Sequence, residues 1–223
     1  MESASSPQPE TAGPAWAAAD ELIHQLVHDL RQPLSGIEAS AWYIDMVASE
    51  ARPELIPHCR RLRAMVQQAN WLLDDAALCA GFRPGPWKMH SLAELFASVQ
   101  RKLFEEEEAA LDLDAGGGAP LVWAPEALPR LAEHVIAFFR DAAACPDPVH
   151  VRLETGPGAV AAIVWSDACD DPESAARLLA PEAGRGFLGR FLQAAGGEAR
   201  AEVSPSGRLT LVLRLPAAAE QRA

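Results

Sequence analysis

The sequence has no long apolar run. Of its 223 residues 49% are hydrophobic, yet no uninterrupted stretch approaches the roughly 20 residues that a spanning helix needs. Nor does a charged-then-apolar signal peptide open the chain. No membrane anchor is expected, and the expected location is the cytoplasm, with input arriving from another protein. Basic residues are scarce: 19 Lys and Arg stand against 31 Asp and Glu, for a net charge of −12. Such a balance argues against a nucleic-acid partner, because phosphate binding needs a concentrated basic surface. Cysteine is sparse too. Cys59, Cys79, Cys145 and Cys169 form no CxxC pair, which predicts reduced thiols with no disulfide framework and no metal site.

What is present falls into two textures. Residues 1–14 are rich in Ser, Pro, Gly and Ala without an apolar period and read as a disordered tail. Ile23, Val27, Leu30, Leu34, Ile37, Ala41, Ile44 and Ala48 then recur at steps of four and three, the spacing of a bundle seam. Pro33 lies inside that series and predicts a kink. After a break at Pro53 and Pro57, Leu55, Cys59, Leu62, Val66, Ala69, Leu73, Ala76 and Ala80 repeat the pattern as far as Gly81. Residues 15–83 are therefore expected to form an antiparallel helical hairpin. One hairpin cannot bury two apolar stripes by itself, so pairing into a homodimeric four-helix bundle is predicted.

Residues 87–218 mix periods. Helices are expected from Ser91, near the cap, to about Glu107, from Glu126 to Ala142, at Ser174–Leu179 and at Gly186–Ala195. Strands are expected at Leu111–Leu113, His150–Glu154, Val160–Trp165 and Leu209–Leu215. Helical hairpin followed by α/β sandwich gives an α+β fold class.

The chemistry concentrates at His28-Asp29-Leu30-Arg31-Gln32-Pro33-Leu34. Helical spacing puts His28 and Gln32 one turn apart on a common face, with Arg31 beside them. A carboxylate that takes the Nδ1 proton makes an imidazole a better nucleophile at Nε2. Asp29 is placed for that task, Arg31 to neutralise an incoming phosphoryl group, and Gln32 to orient a water. His24 is followed by Gln25 instead of an acid and reads as surface.

This heptapeptide resembles the H-box of sensor histidine kinases, and the order of elements after residue 86 resembles their ATP-binding domain. The resemblance implies that His28 is a phosphoacceptor, Asp29 its general base, and Gln32 a stand-in for the Thr or Asn that supports phosphatase activity. It also implies a nucleotide site, and there the sequence departs from the pattern. His134 and Phe138 stand where two asparagines are expected, and phenylalanine cannot ligate Mg²⁺. Asp167-Ala168-Cys169-Asp170 keeps the adenine-binding acid without its glycines. Gly184-x-Gly186, leading into a helix, is the remnant of a phosphate loop.

Asp167, Gly184 and Gly186 thus mark a relic site, with ATP and Mg²⁺ binding expected to be lost and no cofactor required. The resemblance then narrows to dimeric histidine phosphotransferases of phosphorelays. Their partners are response-regulator receiver domains, with an upstream histidine kinase supplying the phosphoryl group. Two other readings stay open: a divergent ATP-dependent kinase that phosphorylates His28 itself, and a non-catalytic module that binds a regulator or kinase.

Overall fold

The computed structural model describes residues 14–48, 52–107, 111–116, 120–143, 148–156, 158–166, 169, 171–180 and 186–218. Of the expected tail, residues 1–13 lie outside that set, and Pro14 already opens the first helix. Helix α1 (Pro14–Ala48) stays helical through Pro33. A single 3₁₀ turn (Pro53–Leu55) leads into α2 (Ile56–Ala80). Proline suits this entry because the first helical amides have no internal partner to lose. The exit is at Gly81, whose N–H bonds the Ala77 carbonyl at 3.1 Å.

Polar rungs hold the two helices antiparallel. Asp20 accepts from Arg83 at 2.9 Å, Glu38 from Gln67 at 2.7 Å and Asp45 from Arg63 at 2.8 Å, while Asp74 accepts from Arg31. The exposed pairs among them, Arg31–Asp74 and Arg83–Asp20, contribute at most about 1 kcal/mol each. Their value is register. The seam between the rungs divides. Val27, Ala41, Cys59 and Val66 are buried, whereas Leu30, Ile37 and Ile44 stay more than 40% exposed.

The α/β part begins with β1 (Trp87–Ser91), absent from the sequence-based expectation, and α3 (Leu92–Glu107). Ser91 does cap this helix: its Oγ accepts from the Glu94 N–H at 3.3 Å. Then come β2 (Leu111–Asp114), β3 (Leu121–Pro125) and α4 (Leu128–Ala137). The expected helix to Ala142 is completed differently, as a π-helical stretch over Phe138–Ala142. That wider turn accompanies two successive aromatics, Phe138 and Phe139, both fully buried. After it follow β4 (Val149–Gly156), β5 (Ala159–Ser166), α5 (Pro172–Leu179), α6 (Gly186–Ala195), β6 (Glu198–Val203) and β7 (Leu209–Pro216).

Strands β1 and β3 form an antiparallel pair, and the remaining five make one sheet in the order β2-β4-β5-β7-β6. The β2–β4 pair is parallel, and the others are antiparallel. Strict alternation decides the faces: Val160, Ala162, Val164 and Ser166 of β5 point inward while their neighbours stay partly exposed. Leu211 and Leu213 from β7 continue that inner face into one core with Phe96 (α3), Leu131 and Val135 (α4) and Phe187 and Phe191 (α6). Burying each such side chain contributes about 1.5–3 kcal/mol. The architecture is a helical hairpin followed by an α/β sandwich, as expected. Trp71 of α2 belongs to the sandwich core, so the two parts share apolar packing.

Candidate functional site

His28 projects from α1 with its side chain 77% exposed, beside Asp29 at 59%. The imidazole Nδ1 lies 3.3 Å from Asp29 Oδ1. That oxygen also accepts from Gln25 Nε2 at 2.9 Å, one turn back along the helix. An ionised carboxylate can only accept, so this contact assigns the proton to Nδ1 and leaves the Nε2 lone pair available. The contact with His28, and then the bond from Gln25, hold the Asp29 carboxyl below the ordinary carboxylate range. Arg31 reaches across the hairpin to Asp74. The bond engages one terminal nitrogen of its five-donor fork. Gln32 is exposed, one turn on from His28. His24 bonds its own helix, with Nδ1 2.7 Å from the Asp20 carbonyl.

A second constellation joins hairpin to sandwich. The Trp71 indole stacks on the His134 imidazole, with centroids 4.6 Å apart and planes inclined by 13°. Its Nε1–H donates to the His134 carbonyl at 3.2 Å. Phe138 meets the same indole edge-on at 4.8 Å. His134 Nε2 is 3.0 Å from Asp75 Oδ1, and the Phe187 N–H donates to that same oxygen at 3.0 Å. Gly186 opens α6 at φ +67°, and a Cβ on it would stand 2.9 Å from Asp75 Oδ2. A cleft of about 330 Å³, lined by Gln67, Asp74, Arg130 and Glu133 among others, opens beside Trp71.

Of the three residues assigned to the relic nucleotide site, Asp167 and Gly184 lie outside the described residues. Gly186 is described, and it faces Asp75. Trp71 and Asp75 were missed by sequence reasoning, which followed the heptad seam, and both lie off it. Their signal was an aromatic and an acidic pair, Asp74-Asp75, on the far side of an otherwise regular stripe. Among the described residues no group of three or more His, Cys, Asp and Glu side chains is arranged to hold a metal ion. No helix there is long and apolar enough to cross a membrane.

No protein-family model matches this sequence, and no curated protein does. Solved structures do. Several of these neighbours are histidine kinases or domains of them. The ATP-binding domain of PrrB from Mycobacterium tuberculosis is 18% identical, with a TM-score of 0.49 over 59% of this chain and 97% of that one. The histidine kinase AdeS of Acinetobacter baumannii is 14% identical at a TM-score of 0.48, over 86% of this chain and 98% of that one. Full-length ShkA, solved with AMPPNP, is 18% identical at 0.49, and the match spans 89% of this chain but 46% of ShkA.

Proposed function

We propose that this chain is a phosphorelay protein in which His28 takes a phosphoryl group from the aspartyl phosphate of one receiver domain and hands it to the aspartate of another. The observation that carries the reading is the exposed imidazole with Nδ1 held by Asp29 and Nε2 open. In the forward step the Nε2 lone pair attacks phosphorus and an N–P bond forms. The P–O bond to the receiver aspartate breaks, and the leaving carboxylate keeps its electron pair. The Nδ1 proton stays on the ring, where the Asp29 carboxylate offsets the positive charge of the phosphorylated imidazole. Arg31 neutralises the phosphoryl oxygens with its remaining donors, and Gln32 orients a water for slow hydrolysis. The return step is the same displacement in reverse, onto the second receiver. A divalent ion, if needed, belongs to the receiver's acidic pocket.

The same proposal includes no productive Mg-ATP binding. Its support is what stands at the positions the kinase resemblance assigns to nucleotide. Phe138 presents hydrocarbon where a metal ligand is required. The His134 ring is covered by Trp71, and its Nε2 faces Asp75. The proposal further includes a homodimer in the cytoplasm, built as a four-helix bundle. Leu22, Leu26, Leu30, Ile37 and Ile44 are exposed along α1 of a single chain, and a continuous apolar stripe of this kind marks a surface that is covered by a partner.

The test is incubation with radiolabelled ATP alone, and then with a receiver charged by its own kinase. Label should reach the wild-type chain only from the receiver, and His28→Ala should receive none. Labelling from ATP alone would make the chain a kinase. Receiver binding without any transfer would make it an interaction module.

A further inference from the structure

The start of α6 supplies the kind of site that ordinarily receives an anion. Its first amides have no partner within the helix, and the helix dipole adds positive potential there. Asp75 reaches that place from a different part of the fold. It lies on α2 of the hairpin, more than a hundred residues earlier in the chain. Its Oδ1 accepts the Phe187 N–H at 3.0 Å and faces His134 Nε2 at 3.0 Å. Its Oδ2 packs so close to Gly186 that an added Cβ would stand 2.9 Å away. Residue 186 is therefore tied to glycine twice, by its φ of +67° and by the carboxylate beside it. Flanking contacts close the joint. Trp71, one turn before Asp75, stacks on His134. Arg190, one turn into α6, donates to the Cys79 carbonyl at 3.1 Å, and Phe82 meets the Phe187 ring edge-on at 5.5 Å.

We infer that Asp75 is a built-in anion: its carboxylate occupies the phosphate seat at the start of α6 and clamps the α/β sandwich to the hairpin. A phosphate-bearing ligand would have to displace a covalently tethered competitor whose effective concentration never falls. Gly186, where α6 begins, thus serves as half of an internal joint. The clamp stands apart from the chemistry of His28, since it would exist whether or not that residue accepts a phosphoryl group.

Amide-resolved hydrogen exchange on the full-length chain tests the clamp. In Asp75→Ala the Phe187 amide should exchange at least about tenfold faster, while the β5 and β7 amides keep their wild-type rates, as expected for a local opening. An unchanged Phe187 rate overturns the inference. So does an equal acceleration across β5 and β7, which would reduce Asp75 to a contributor to global stability. A second measurement needs no variant. Millimolar inorganic pyrophosphate added to the wild-type protein should leave the Phe187 amide resonance in place, because the seat is filled. A saturable shift of that resonance would show the seat open and overturn the proposal.

Discussion

At His28 a single neighbour sets the tautomer. Asp29 holds the Nδ1 side, and Gln25 steadies Asp29 from one turn back. The Asp29 carboxyl is held low chiefly by His28 and then by Gln25. A carboxyl-detected NMR titration should therefore place its midpoint below that of an ordinary aspartate. His28→Ala should raise it toward the ordinary value, and Gln25→Ala should raise it less. If His28→Ala leaves the midpoint in place, the contact does not persist in solution. Asp29→Asn removes the negative charge that offsets the phosphorylated imidazole without changing the shape of the side chain. Losing one preorganised electrostatic partner costs about 10²–10³ in rate, so this variant should slow label transfer from a charged receiver by about that factor while receiver affinity is kept. An equal loss of affinity would move Asp29 from the chemistry to the docking surface.

Among the elements, α2 carries two loads. One side zips to α1, and the other pushes Trp71 into the core of the sandwich. Trp71 is only 9% exposed, and it touches His134 and Phe138 at once. Trp71→Ala should cost about 3–5 kcal/mol, read as a lower urea midpoint. A loss under about 1 kcal/mol would mean that the two parts fold independently. The turn from α6 to β6 is tight in another way. A Cβ at Gly197 would stand 2.7 Å from the Arg214 carbonyl oxygen and 2.9 Å from Leu215 Cδ2. Neither backbone nor core can yield cheaply there, so Gly197→Ala should cost about 1–3 kcal/mol by the same measurement. A neutral effect would show that β7 can move away from the turn.

For the molecule as a whole, most of the exposed large hydrophobic side chains among the described residues lie on the hairpin. Leu30, Ile37 and Ile44 belong to the predicted seam, yet α2 of the same chain leaves them exposed. Sedimentation equilibrium should find a dimer. Replacing Leu30, Ile37 and Ile44 together by Gln should yield a monomer whose strands keep their circular dichroism. A wild-type monomer at micromolar concentration would sink the four-helix bundle, and the stripe would then belong to a different partner.

Much of this was legible in the one-dimensional pattern, because periods of 3.5 and 2 report burial directly. The hairpin, α3 and three strands of the main sheet, β4, β5 and β7, follow from such periods. The capping role of Ser91 follows from its place ahead of an apolar run. Strand β1 was not legible. Trp87-Lys88-Met89-His90-Ser91 is only partly buried and gains its strand character from pairing with β3, a partner far along the chain. The π-helical turn at Phe138 was hidden for the same reason, since two adjacent aromatics read as ordinary helix until the core demands both.

The sequence by itself determined that His28 and Asp29 stand side by side, because both lie on one helix, where spacing is geometry. It also determined which faces are apolar. Only the tertiary structure decided what meets Gly186. Asp75, Trp71, His134 and Gly186 sit on separate elements, and no local rule links a carboxylate in the hairpin to the first amides of a helix more than a hundred residues away. Packing between the two parts brings them together, and with that contact the anion seat of α6 is filled from within.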